Sequence, residues 1–164
     1  MRTRSVRIAG LATIVLVLLV GAMSVAADSK PKLKGDWKIN VGKSEFGILF
    51  APKSANVKIS QKGSQLKIVD SETNEQGETN QKESSYTIDG KEETGTLIAT
   101  PFPVVGAMKW KEGSLTFEGS GTNSGVTFHV QEKWGVSADG KTITIDRHFS
   151  SDRRNTDQKI VLQK

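Results

Sequence analysis

Apolar residues recur at every second position over most of the chain beyond residue 30. This period is typical of a β-strand that buries one face, because successive side chains of a strand point to opposite sides of the sheet. No window beyond the first 27 residues holds the three-and-four spacing of an amphipathic helix. The pattern therefore predicts an all-β protein, an antiparallel up-and-down meander of about 8–10 strands.

Three x-Gly pairs between apolar stretches predict tight hairpin turns, because glycine tolerates the positive φ of two-residue loops. The pairs are Lys62-Gly63, Glu112-Gly113 and Asp139-Gly140. In the register that each turn sets, apolar side chains face each other across the two strands. The predicted opposite pairs are Ile59 with Leu66, Trp110 with Leu115, and Trp134 with Ile145. Turn chemistry and face alternation thus agree, which supports the assignment of the hairpins.

Two stretches depart from the alternation. Residues 70–85 carry no large apolar side chain, which predicts a solvated loop followed by a weak strand near an edge or rim of the sheet. Residues 100–106 hold Pro101 and Pro103, which cannot donate to a β-ladder. We therefore expect a loop at that point of the chain.

The predicted meander must hide its two edge strands. A flat sheet would leave both edges open to other chains, whereas closure into an up-and-down barrel removes them. The hairpin-only connections favour the barrel. A two-sheet sandwich is the alternative, although sandwiches usually need a Greek-key crossing.

Residues 1–27 have the three parts of a secretory signal peptide. The parts are a positive start (Arg2, Arg4 and Arg7), an apolar run (residues 11–20) and a small-residue cleavage site (Val25, Ala26 and Ala27). We expect residues 28–164 to form one β-barrel domain, exported by the general secretory route to the periplasm or the extracellular space. No stable membrane span is expected after cleavage. A retained N-terminal anchor is the alternative.

The charge and cysteine counts narrow the function classes. The chain carries 23 Lys and Arg against 18 Asp and Glu, but three of the arginines lie in the signal segment. The remaining domain is nearly neutral and interleaves both signs, so we expect no nucleic acid as a partner. The absence of cysteine excludes disulfides and thiolate chemistry. We expect a monomer that is held together by its core and its ladders.

A short motif opens the domain. Gly35 and Trp37 form a Gly-x-Trp motif within the segment Lys-Gly-Asp-Trp-Lys-Ile-Asn, and Lys-Ser-Glu-Phe follows at residues 43–46. The motif resembles the start of the calycins, which comprise lipocalins and fatty-acid-binding proteins, and the longer segment is similar to a group of small secreted bacterial proteins. This resemblance implies a calycin-like barrel that binds a small hydrophobic or amphipathic molecule. The short link at residues 42–54 departs from the helical lid of fatty-acid-binding proteins.

Two charges lie in the apolar faces of predicted strands. Glu132 shares its face with Trp134, and Arg147 shares its face with Ile145. The hairpin that joins the two strands sets Glu132 directly opposite Arg147, so an inward orientation would make them a buried ion pair. Such a pair can anchor the polar group of a ligand. It can also be purely structural, or the arginine can pack over Trp37 at one end of the barrel.

The inward-facing rings form a second candidate set for ligand binding. They are Trp37, Tyr86, Trp110, Phe117, Phe128, Trp134 and Phe149. Aromatic side chains often line ligand cavities. They can also fill a narrow barrel, because the interior of about eight strands is just wide enough for its own side chains.

No arrangement of residues indicates catalysis or metal binding. His129 and His148 fall on the polar faces of their strands, and two isolated histidines are a weak metal signal. We therefore expect a protein that is not an enzyme and that needs no cofactor. The leading hypothesis is a small-molecule-binding barrel. The alternative is a non-catalytic envelope or extracellular interaction protein with a solid core.

Overall fold

The computed structural model describes residues 30–164, which form one antiparallel sheet of ten strands. The strands are β1 (Gly35–Ile39), β2 (Ser54–Lys62), β3 (Gln65–Thr73), β4 (Thr79–Thr87), β5 (Asp89–Thr96), β6 (Pro103–Lys111), β7 (Ser114–Asn123), β8 (Val126–Val136), β9 (Thr142–Ser151) and β10 (Asn155–Gln163). Within the described residues, no helix is long and apolar enough to cross a membrane. The predicted signal peptide lies outside the described residues.

The sheet curls into a nearly closed barrel. Its strand order is β4-β3-β2-β1-β10-β9-β8-β7-β6-β5, so every neighbour in space is a neighbour along the chain except β1 and β10. Between the two ends of the sheet, β4 and β5, side chains take the place of a ladder: the Ser84 hydroxyl accepts the Thr96 N–H at 2.7 Å and lies 2.9 Å from its hydroxyl. The all-β meander and its closure into an up-and-down barrel are confirmed, and the sandwich is wrong.

Two of the three predicted hairpin registers are confirmed. Trp110 pairs with Leu115, and Trp134 pairs with Ile145. The first register is wrong by two residues: Ile59 pairs with Ile68 instead of Leu66. The physical reason is that the two loop residues are Gly63 and Ser64, so that the positive φ of 60° falls at the first loop position.

The polar stretch after Ile68 is more regular than its composition predicts. β3 continues to Thr73 and carries Asp70 into the barrel opposite Val57, so the predicted solvated loop is limited to residues 74–78. The expected weak strand is β4, which does lie at an end of the sheet. The predicted proline loop ends earlier than expected, because Pro103 already opens β6, where a residue without an N–H is tolerated.

The core follows the inward parity of the strands around the barrel. Leu66, Met108, Leu115, Ile145 and Leu162 are fully buried or nearly so, although they come from five different strands. At the end of the barrel where the chain enters, the Trp37 indole N–H donates to the Leu33 carbonyl at 2.9 Å. The Lys164 ammonium lies 4.5 Å from the centroid of the Trp37 ring and covers it.

Candidate functional site: the barrel interior and its mouth

A buried ion pair lies at the middle of the barrel, as the hairpin register predicts. Glu132 and Arg147 pair directly across β8 and β9, and the Arg147 Nε–H donates to Glu132 Oε1. Arg147 Nη1 donates to Gln158 Oε1 at 2.8 Å, and Nη2 donates to the carbonyl of Ile98 at 2.8 Å. Each of the three guanidinium nitrogens therefore has a partner within the protein.

The groups that contact Arg147 make further hydrogen bonds of their own. The second oxygen of Glu132 accepts the indole N–H of Trp134 at 2.8 Å. Gln158 Nε2 donates to the carbonyl of Phe46, which lies in the loop between β1 and β2. The buried charges thus sit in a satisfied network that joins three strands and two loops, as buried charges require.

The predicted aromatic residues differ in how deeply they are buried and in what they contact. Trp37, Phe117 and Trp134 are core residues, and Tyr86 stacks edge-on against Phe117 with 5.7 Å between ring centroids. Burial is the main cause that raises the pKa of the Tyr86 hydroxyl well above its ordinary value, so this group stays neutral. Trp110 is half-buried on β6.

Glycines let some rings fill the lumen. The Phe117 ring lies directly over Gly106 and Gly119, at 2.4 Å and 2.8 Å from where their Cβ atoms would be. The Phe128 ring covers Gly121 in the same way at 2.5 Å. Along β6 and β7 the interior is therefore filled by the protein's own side chains.

An apolar pocket of about 300 Å³ opens at the end of the barrel where the loops after β1, β5, β7 and β9 meet. We call it the mouth pocket. It is lined by Ile48, Leu49, Phe102, Asn123, Val126, Phe128, Phe149, Ser150, Ser151, Arg153, Arg154 and Thr156. Only Phe128 and Phe149 of the predicted site residues line it.

Three rings form the apolar wall of the mouth pocket. The centroid of Phe102 lies 4.8 Å from that of Phe128 and 6.1 Å from that of Phe149. Phe128 and Phe149 are 5.6 Å apart in an edge-on arrangement. Beneath them, the guanidinium carbon of Arg147 lies 5.6 Å from the centroid of Phe149, so the ion pair supports the ring from inside the barrel.

The rim of the mouth pocket combines exposed apolar side chains with positive charge. Ile48, which lines the pocket from the loop between β1 and β2, is 55% exposed. Phe50, further along the same loop and outside the lining, is 100% exposed. Arg153 and Arg154 are exposed at the turn between β9 and β10. An apolar wall beneath a cationic rim suits a molecule that has an apolar body and an acidic group.

A buried loop segment closes the barrel beneath the mouth. Residues 97–100, here called the plug, connect β5 to β6 and are almost completely shielded from solvent. The Ala99 N–H donates to Asp70 Oδ2 at 2.9 Å, and Lys82 Nζ donates to the Thr100 carbonyl at 2.7 Å. Asp70 Oδ1 is buried and has no hydrogen-bond partner among the described residues.

The sequence interpretation missed Asp70 and the arginine rim. Asp70 shares the parity of Leu66 and Ile68, so continued alternation through the polar stretch was the signal that could have revealed it. Arg153 and Arg154 are exposed at the end of a hairpin, a position that is typical of solvated charges. Their position over an apolar pocket depends on loops that are distant in sequence, and no local pattern reports it.

Comparison with known proteins shows which solved structures have a similar fold. No protein-family model and no curated protein matches the chain. Zebrafish ileal bile-acid-binding protein, solved in complex with cholic acid, is similar in structure with a TM-score of 0.53 and 14% identity, over 80% of this chain and 97% of that one. Fatty-acid-binding proteins of Echinococcus granulosus (13% identity, 80% and 96% covered) and Manduca sexta (10%, 80% and 98%) reach TM-scores of 0.49.

The strand order, the barrel closure and the similarity to the zebrafish protein define the fold. The domain is a calycin-like β-barrel, as the Gly-x-Trp motif implies. A fold of this kind does not by itself specify a function, which must be argued from the site.

Proposed function

We propose that this barrel binds a small amphipathic acid, with the apolar body of the ligand in the mouth pocket and its acidic group at the arginine rim. The observation that carries the proposal is the combination of the ring wall of Phe102, Phe128 and Phe149 with Arg153 and Arg154 at one opening. The volume of about 300 Å³ lies at the lower end of known ligand pockets, so the ligand is small. The zebrafish protein of the same fold holds cholic acid, an amphipathic acid, which supports this ligand class.

The remaining predicted site residues have a supporting role in this proposal. Arg147 and Glu132 hold Phe149 and the plug in position. Trp37, Trp134, Phe117 and Tyr86 build the core on which the pocket rests, and Trp110 is distant from the mouth. The lining of the pocket, rather than the whole barrel interior, is the proposed binding surface.

The first prediction compares decanoate with decanol, measured by isothermal titration calorimetry. Reversing both rim charges, Arg153→Glu with Arg154→Glu, is expected to weaken decanoate binding about tenfold, which is about 1.4 kcal/mol. Decanol binding should stay within about twofold, because the alcohol carries no charge for the rim to attract.

The control for this experiment is Lys141→Glu, an exposed charge reversal in the turn between β8 and β9, at the opposite end of the barrel. It should leave both affinities unchanged. An equal loss for acid and alcohol would contradict the proposed role of the rim. A failure of both compounds to bind the unmodified protein would contradict ligand binding in this pocket by a ligand of this size.

The alternative function is a non-catalytic interaction protein with a solid barrel. The observation that favours it is the filled lumen, in which the ring of Phe117 lies against Gly106 and Gly119. This alternative predicts that no amphipathic compound binds and that substitutions on the outer face, not in the mouth pocket, disturb function.

We also propose that the protein is exported and that residues 1–27 are removed. The support is the sequence pattern of three arginines, an apolar run and a Val-Ala-Ala site. The second prediction is that protein recovered from the periplasm or the medium of its host begins at Asp28, measured by intact mass and N-terminal sequencing. A mature protein that begins at Met1 would contradict cleavage.

A further inference from the structure

The plug spans the lumen of the barrel between two opposite walls. On one side, the carbonyl of Ile98 accepts Arg147 Nη2 from β9 at 2.8 Å. On the other side, the N–H of Ala99 donates to Asp70 Oδ2 from β3 at 2.9 Å. Strands β3 and β9 are four positions apart in a ring of ten, so these two anchors lie on nearly opposite walls. Phe102, two residues beyond the plug, is part of the wall of the mouth pocket.

The surroundings of Asp70 are unusual for a carboxylate. Its Oδ1 atom is buried and has no partner among the described residues, and an ionised oxygen in that position is costly. The charged groups that face it are Lys82 from β4, with Nζ 3.6 Å from Oδ2, and Glu72 from its own strand, which also contacts Lys82 Nζ. Val57 of β2 is directly opposite Asp70, and the plug contributes the N–H of Ala99.

We propose that the plug is a proton-operated gate: it stays in the barrel while Asp70 carries a proton, and it withdraws after Asp70 has lost that proton. Withdrawal would free Arg147 Nη2 from Ile98 and connect the mouth pocket with the middle of the barrel. The gate regulates the site of the proposed function, and in that respect it rests on that proposal. The gate itself requires no ligand.

The direction of the gate follows from the two states of Asp70. Burial is the largest cause that raises the pKa of Asp70 from 3.8 to about 7 while the plug is in place, and the neighbouring Glu72 raises it further. The Ala99 N–H and the Lys82 ammonium act in the opposite direction and only partly offset this rise. With the plug withdrawn, water reaches the carboxyl group and its pKa returns towards the ordinary value. The proton is therefore bound more tightly in the closed state, so closure is strongest below about pH 4, weakens between pH 4 and 7, and levels off above pH 7.

The third prediction is tested by amide hydrogen exchange, followed by NMR on the ligand-free protein between pH 5 and 8.5. The protection factor of the Ala99 amide, corrected for intrinsic exchange, should fall at least tenfold from pH 5 to 7 and then level off. The amide of Val130 in β8 serves as the internal reference and should not change in parallel. A parallel fall of the protection factors of both amides would mean that the whole barrel unfolds, and it would overturn the gate.

Two variants separate the proton from other causes. Asp70→Asn keeps an acceptor for the Ala99 amide but cannot ionise, so its Ala99 protection should be high and independent of pH. Glu83→Gln, a matched change at an exposed carboxyl group on β4, should keep the behaviour of the unmodified protein. If the protection factor of the Ala99 amide still falls between pH 5 and 7 in the Asp70→Asn variant, the proposal is overturned.

A direct titration keeps the proposal testable if Asp70→Asn does not fold. The carboxyl carbon of Asp70 in the unmodified protein should titrate with a midpoint near pH 7, and a midpoint near pH 4 would overturn the gate. All of these measurements are made without ligand. Failure of decanoate to bind would therefore contradict the proposed function and leave the gate intact, whereas a pH-independent plug would contradict only the gate.

Discussion

Replacing Glu132 by alanine is expected to lower the free energy of unfolding by about 3–5 kcal/mol, because it leaves the fully buried charge of Arg147 without its counter-ion. The indole N–H of Trp134 would lose its acceptor at the same time. The measurement is urea denaturation followed by tryptophan fluorescence and circular dichroism. Arg147→Ala should lower the free energy of unfolding by a similar amount, because it leaves the buried carboxylate of Glu132 without its counter-ion.

The double variant Glu132→Leu with Arg147→Met should recover most of that loss, because removing both charges removes the desolvation cost. The matched control is Asp146→Ala with Lys133→Ala, the exposed pair next to the buried one in the same two strands. This control should change stability by less than about 1 kcal/mol. Single variants at Glu132 and Arg147 that unfold like the unmodified protein would contradict a buried pair.

The buried pair was accessible from the sequence because two local signals agreed. The Asp139-Gly140 turn fixed a register, and the alternation of β8 and β9 put Glu132 and Arg147 on the inner face. Such signals are short-range, so they need no knowledge of the rest of the fold. The Gly-x-Trp motif added the barrel type, which local periodicity cannot provide.

Other parts of the site depend on contacts that no local pattern encodes. The plug is buried because Asp70 and Arg147 hold it from opposite walls, 29 and 49 residues away along the chain. Pro101 and Pro103 predict a loop at residues 100–106, but they do not predict that residues 97–100 cross the barrel as a buried segment. Asp70 continues the parity of Leu66 and Ile68, but the polar residues that follow it offer no apolar face to show that the strand continues.

The first hairpin shows how a small error in turn position changes a site. A loop at Lys62-Gly63 would have paired Val57 with Ile68, whereas the observed loop at Gly63 and Ser64 pairs Val57 with Asp70. Shifting the pairing by two residues preserves which face is buried, so the hydrophobic pattern could not detect the error. The pairing of Val57 with Asp70, and with it the inward position of Asp70, is seen only in the structure.

The filled lumen leads to the last prediction, a loss of about 3 kcal/mol in the free energy of unfolding for Gly106→Ala. A Cβ atom at Gly106 would lie 2.4 Å from the Phe117 ring, 2.5 Å from the Glu118 carbonyl oxygen and 2.7 Å from the Cα atom of Gly119. Two of these three neighbours are backbone atoms, so rotation of the ring cannot relieve the overlap. Urea denaturation measures the loss.

Gly135→Ala is the matched control, because Gly135 also lies within a strand but points to the outside, with no atom closer than 4.0 Å to its added Cβ. Alanine there should be neutral or slightly stabilising, as it reduces the freedom of the unfolded chain. If Gly106→Ala were as stable as Gly135→Ala, β6 and β7 could not be as close to the Phe117 ring as described. The lumen would then have room for a ligand beyond the mouth pocket, and the binding surface would extend to the inward rings of the barrel.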